Sequence, residues 1–160
     1  QDMSFDPSQI RDLVEETLID MTLKLDRAMD SKGSRELLLM TAAHESHLGA
    51  YLCQVKGPAV GMFQMEPATY KDLMDSYVGY RPDLGFYVEQ HMTDTFDPYE
   101  LRWNLKAAII TARLQYYRVA EPLPTTVAGL GFYAKQYWNT NEGKATEYDY
   151  VSAFNKYYNK

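Results

Sequence analysis

Apolar residues recur at helical spacing through the first part of the chain: Ile10, Leu13, Val14, Leu18, Met21, Leu25 and Met29. This period predicts an amphipathic helix from residue 7 to about residue 30. Asp6-Pro7-Ser8-Gln9 supplies its start, with an acid at the cap, proline at the first helical position and Gln three residues after the cap. Ser31-Lys32-Gly33-Ser34 breaks the pattern, and Ser34 is placed to cap a second helix running to about Leu48. Its Leu37-Leu38-Leu39-Met40-Thr41-Ala42-Ala43 run is apolar nearly all round, the mark of a buried central helix, and Gly49 stands where a C-terminal glycine belongs. Residues 51–66 hold Gly57, Pro58 and Gly61 without a helical period, which predicts an irregular loop or a small hairpin. Pro67 opens another helix through about Tyr77, and residues 79–96 are ambiguous. Asp97-Pro98-Tyr99-Glu100 repeats the start signal ahead of Leu101, Leu105, Ala108, Ile109, Ala112 and Tyr116, and Glu121-Pro122-Leu123-Pro124 ends that helix. A helix over 126–138 follows, then a last one behind the capping box Thr146-Glu147-Tyr148-Asp149, with Val151, Phe154 and Tyr158 on one face. The expected fold is mainly α, one helical domain over residues 1–160 with a small irregular or hairpin segment.

Composition narrows the function. The chain has 160 residues, 46% hydrophobic and 24% charged, as ordinary globular chains do. Its net charge of −6 argues against nucleic-acid binding by phosphate neutralisation, and against electrostatic steering toward an anionic cell wall. Cys53 is the only cysteine, so neither an intramolecular disulfide nor a cysteine-based zinc site is available. No apolar run approaches the roughly 20 residues of a membrane helix, and Gln1-Asp2-Met3-Ser4-Phe5-Asp6 is acidic and polar, unlike a signal peptide. The 14 tyrosines are the one outlier; they suit carbohydrate surfaces and half-buried helix faces alike.

Candidate chemistry centres on His44-Glu45-Ser46-His47. Glu45 falls on the stripe of Leu38 and Thr41, near the end of the most apolar helix. Partial desolvation there raises a carboxyl pKa, as a general acid for glycosidic cleavage requires. A Glu facing solvent, or pairing with His44 or His47, is the structural alternative. The two histidines stand at i and i+3, not the i and i+4 of a zincin helix, and His91 is the one other histidine that could complete a metal site. The second stretch runs from Gly57 through Gly61-Met62-Phe63-Gln64 to Pro67-Ala68-Thr69. Its glycines permit close backbone approach, and the Gln64 amide suits sugar hydroxyl and N-acetyl groups. The same features also describe a tight turn into a Pro-started helix.

Glu45-Ser46, followed fifteen positions later by Gly61-Met62-Phe63-Gln64-Met65-Glu66-Pro67-Ala68-Thr69, resembles the lysozyme-like lytic transglycosylases, whose pattern is Glu-Ser and then Gly-Leu-Met-Gln-x-x-Pro-x-Thr. The string Gly57-Pro58-Ala59-Val60-Gly61-Met62-Phe63-Gln64, with the later Ala112-Arg113, Tyr116-Tyr117-Arg118-Val119 and Tyr137-Trp138-Asn139-Thr140, is similar to transglycosylase-like proteins of tailed bacteriophages. The likeness covers roughly residues 37–145. It implies a lysozyme-like α+β fold and cleavage of the β-1,4 bond between N-acetylmuramic acid and N-acetylglucosamine in peptidoglycan, at the bacterial wall. Glu45 matches the catalytic acid/base, Ser46 the neighbour that orients it or contacts substrate, and Gly61, Met62, Phe63 and Gln64 the cleft wall. The family's Ala-Tyr-Asn-Ala-Gly motif is met only in part, by the string from Tyr137 to Gly143 with Asn139 in it; either Tyr133 or Tyr137 takes the tyrosine role. Glu66 replaces an apolar residue and is the candidate second acid, as nucleophile or as base for a water, or it is simply an acid at a helix start.

No cofactor or metal is needed for that chemistry. The expected partners are glycan strands and other virion proteins, with no membrane insertion. Two further readings remain: a catalytically weak structural or glycan-binding module of a phage particle, and a metallohydrolase built on His44, His47 and His91.

Overall fold

The computed structural model describes residues 4–139 and 143–159. The fold is mainly α. Among the described residues seven α-helices follow in order: α1 Pro7–Leu25, α2 Lys32–Ser46, α3 Pro67–Ser76, α4 Pro82–His91, α5 Leu105–Tyr117, α6 Val127–Ala134 and α7 Glu147–Tyr158. Short 3-10 turns at Val78–Tyr80 and Pro98–Arg102 join the middle helices, and a π turn at Lys135–Asn139 extends α6.

Local chemistry sets the boundaries. Asp6 caps α1 by accepting the Ser8 and Gln9 N–H groups at 2.9 and 3.3 Å. The helix stops at Leu25, short of residue 30, because Asp26 turns into the left-handed region (φ 52°). Met29 is nevertheless fully buried, so the apolar period outlasts the helix. Ser31, not Ser34, caps α2; Ser34 sits at the third helical position and its hydroxyl accepts the Ser31 N–H at 2.9 Å. At the other end His47 and Leu48 are both left-handed, so α2 finishes at Ser46, before Gly49. Residues 82–91 of the ambiguous stretch form α4, with Pro82 at its first position. The Asp97 start signal produces only the 98–102 turn, and α5 restarts where the Asn104 side chain accepts the Ala107 N–H at 3.0 Å.

One core joins α1, α2, α5 and the faces of the surrounding helices. α2 lies at its centre, with Leu37, Leu38, Met40, Thr41 and Ala42 at 1% exposure or less. Each such Leu or Met contributes about 1.5–3 kcal/mol by burial, so Leu38→Ala is among the costliest changes available. Between α2 and α3 the chain makes two isolated antiparallel bridges, Cys53 with Val60 and Val60 with Met65, and among the described residues it forms no longer strand. Gly61 (φ 81°) makes this turn possible: a Cβ there would meet the Leu101 carbonyl oxygen at 2.6 Å. Gly131 serves a second close approach. A Cβ on it would lie 2.7 Å from Val151 and 2.8 Å from the Glu147 carbonyl, so α7 packs tightly on α6. That face of α7 carries Tyr150, Phe154 and Tyr157 inward, a stripe rotated from the expected Val151, Phe154 and Tyr158. Among the described residues, no helix is long and apolar enough to cross a membrane.

Candidate active site

Glu45 occupies the last turn of α2, the helix most deeply set in the core. Its carboxyl faces a cavity of about 470 Å³, bounded by the 54–66 segment, the start of α3, α5 and the π turn. The size falls within the range of small-molecule sites. Tyr150, from the far end of the chain, donates its hydroxyl to Glu45 Oε2 at 2.8 Å. Burial pushes the Glu45 pKa up from about 4.5 to about 7, and the Tyr150 hydrogen bond offsets only part of that rise. Among the described residues no ion pair reaches Glu45. His44, tilted at 45° against the Tyr150 ring with centroids 4.2 Å apart, is itself held below its ordinary pKa by burial, which disfavours its charged form. The Tyr150 pKa is raised, by burial first and then by the Glu45 charge, so the phenol stays a donor.

The opposite walls are polar and aromatic. Gln54, Gln64, Gln115 and Asn139 present four amides, and Tyr137 and Trp138 present rings. Gln64 is fixed by its own backbone turn (φ 52°) and by donating from Nε2 to the Gly61 carbonyl at 2.8 Å. Gln115 keeps a buried Oε1 that no donor among the described residues reaches. Trp138 packs at 5.0 Å on Tyr116, and Tyr137 at 4.7 Å on Tyr133. Beneath them the Tyr116 hydroxyl donates to Thr41 Oγ1 at 2.8 Å, since the Thr41 hydrogen is already given to the Leu37 carbonyl at 2.7 Å. Amides with an acetamido or hydroxyl group, and aromatic faces with a sugar ring, are complementary pairs.

Five of the residues singled out from sequence meet at this cavity: Glu45, Gln64, Glu66, Tyr137 and Asn139. Glu66 is exposed at the cap position of α3 and its side chain caps no backbone N–H. The others lie elsewhere. Ser46 is fully buried and faces away from the cavity; its hydroxyl donates to the Met62 carbonyl at 2.5 Å and accepts the Gly49 N–H at 2.8 Å. It ties the end of α2 to the 61–65 turn, which orients Glu45 without touching the cavity. Met62 and Phe63 are core residues, at 1% and 2% exposure, and Gly61 is buried under Leu101, so of the four cleft-wall positions Gln64 alone faces the space. Tyr133 stands behind Tyr137 and donates to the Glu121 carbonyl at 2.8 Å. Residues 140–142 of the Tyr137–Gly143 string lie outside the described residues.

No protein-family model, curated protein or solved structure matches this chain. The site therefore stands on its own geometry. His91 belongs to a different face, on α4, with Nδ1 2.7 Å from the Tyr87 carbonyl and its ring near Asp20. Among the described residues, no three His, Cys, Asp or Glu side chains converge as metal ligands. Tyr150, Gln54 and Gln115 are site residues that sequence reading missed, and Thr69, the last position of the Gly61–Thr69 motif, joins the lining.

Proposed function

We propose that this chain is a peptidoglycan-cleaving glycosidase of the lytic transglycosylase type, a single lysozyme-like domain of bacteriophage origin that acts on the bacterial cell wall. The observation that carries this reading is the Glu45 carboxyl, poised with a pKa of about 7 at the wall of an amide- and aromatic-lined cavity. A group that must first give a proton and then take one works best when both states are populated at the working pH. Protonated Glu45 donates to the oxygen of the leaving N-acetylglucosamine as the bond to the muramic C1 breaks. The substrate's own acetamido oxygen stabilises the oxocarbenium-like centre. Glu45, now a carboxylate held by the Tyr150 hydroxyl, takes the proton from the muramic 6-hydroxyl, whose oxygen closes on C1. The product is a 1,6-anhydro sugar, no water is consumed, and Glu45 ends protonated as it began.

Glu66 shares the cavity from the α3 side and is the group that would direct a water, in which case the products are reducing sugars. Tyr137 and Trp138 supply ring faces, and Gln54, Gln64 and Asn139 supply donors and acceptors for the acetamido groups. No cofactor enters these steps. The partners are glycan strands and, in a particle, neighbouring virion proteins.

The test is digestion of purified peptidoglycan by wild type and by Glu45→Gln, with masses of the released muropeptides. Fragments lighter by one water from wild type alone are the expected result. Reducing fragments make the enzyme a hydrolase and Glu66 the next residue to change. No release by folded wild-type protein overturns the catalytic reading and leaves a glycan-binding or structural module.

A further inference from the structure

A second concavity, larger than the first, lies on another face of the molecule. It is a groove of about 860 Å³ between α3, α4 and the 95–98 loop. Its floor and walls are mostly apolar, from Tyr70, Met74, Val78, Pro82 and Phe86, and Phe96 stands on its rim. Phe86 is 63% exposed and Phe96 94% exposed, unusual for two phenylalanines bordering one groove. The rim is built, not loose. The buried Glu100 carboxylate accepts the Thr93 and Asp94 N–H groups, and the Tyr70 hydroxyl donates to the Thr95 carbonyl at 2.7 Å. The loop is thus fastened at Thr93, Asp94 and Thr95, immediately before Phe96.

Charge around the groove is net negative. Asp75 and Glu89 line it, and Asp94 and Asp97 flank it through the loop. The two loop carboxylates, with Glu100, add to burial in raising the pKa of the Tyr70 hydroxyl. Lys71 is the one cation in the lining among the described residues, and it is paired with Asp75. The neighbouring Arg27 and Arg118 are engaged by Asp83 and Asp72, each at 2.9 Å. An apolar groove with an acidic border is complementary to a segment that carries apolar anchors between basic residues.

We propose that this groove docks a basic amphipathic segment of a partner protein, with apolar side chains seated against Phe86 and Phe96 and Lys or Arg facing Glu89, Asp94 and Asp97. The site is separate from the Glu45 cavity and does not rest on the proposed activity.

The test uses two fluorescent helical peptides with the same leucines at i, i+3, i+4 and i+7, one filled out with Lys and the other with Glu. Anisotropy should show the Lys peptide bound and the Glu peptide not. Phe86→Ala with Phe96→Ala should weaken binding at least tenfold, and Glu89→Lys by about tenfold. Glu16→Lys, a charge change of the same size on α1 outside the groove, should leave binding as it was. All these positions are exposed, so melting temperatures should stay at the wild-type value. Equal binding of both peptides, or undiminished binding by the double Phe variant, overturns the proposal. So does self-association in sedimentation that the Phe variant abolishes, because the groove would then belong to a second copy of the chain.

Discussion

Glu45 and Glu100 are the same side chain taken into the same protein, and they end in opposite states. Glu100 is 1% exposed, and its carboxylate accepts the Thr93 N–H on both oxygens at 3.0 and 2.8 Å, the Asp94 N–H at 2.9 Å and the Asn104 amide at 2.8 Å. Burial opposes its charge, but these donors outweigh it and hold the pKa below the ordinary value. Glu45 receives one hydroxyl, from Tyr150, and its pKa climbs to about 7. Donors, not burial alone, decide which buried carboxyl is an anchor and which is an acid. The fold satisfies the first and leaves the second under-compensated, which is the arrangement expected of a working group.

The largest expected effect is on turnover. Glu45→Gln should lower the rate of peptidoglycan cleavage by about 10³-fold while the far-ultraviolet spectrum stays unchanged. Glu100→Ala should act on folding instead, costing about 3–4 kcal/mol in urea unfolding at pH 7, because it leaves buried N–H groups without a partner. Its sign with pH follows from a lowered folded-state pKa. The stabilisation is present above the unfolded value of about 4.5 and fades as pH falls below it, so the penalty should shrink toward pH 3.

Glu45 runs the other way. Its folded-state pKa is raised, so the wild type loses stability as pH climbs from about 4.5 through about 7. Glu45→Gln escapes that loss and should be up to about 3 kcal/mol more stable than wild type at pH 8, with no difference at pH 4. The smallest effect is that of Tyr150→Phe. Removing the hydroxyl that donates to the carboxylate raises its pKa further and should move the alkaline limb of the pH–rate profile, where Glu45 loses its proton, upward by about one unit, read from initial rates between pH 5 and 9.

Sequence carried some of this contrast and not the rest. Glu45 was legible because it falls four and seven residues after Thr41 and Leu38 on a helix whose burial is written in its composition. The helical class and the starts of α1, α3 and α7 were legible from caps and proline positions. Tyr150 was not, because it reaches Glu45 across 105 positions of chain through the packing of α7 on α6 and α2. The 61–65 turn misled for a related reason. Two left-handed residues, Gly61 and Gln64, send Met62 and Phe63 into the core, so of the four positions from 61 to 64 Gln64 alone faces the cavity. Glu100 passed as part of a helix start, since nothing local shows that its carboxylate folds back on Thr93 and Asp94. The π turn at 135–139, which sets Tyr137, Trp138 and Asn139 on the cavity, has no pattern that periodicity would reveal.

The most direct measurement is a carbon-13 NMR titration of the glutamate side-chain carboxyls, in wild type and in Glu45→Gln. The account predicts one glutamate carboxyl that titrates near pH 7 and is missing from the variant. A wild-type spectrum in which no glutamate titrates above pH 5.5 would contradict the claim that Glu45 is held as an acid at neutral pH.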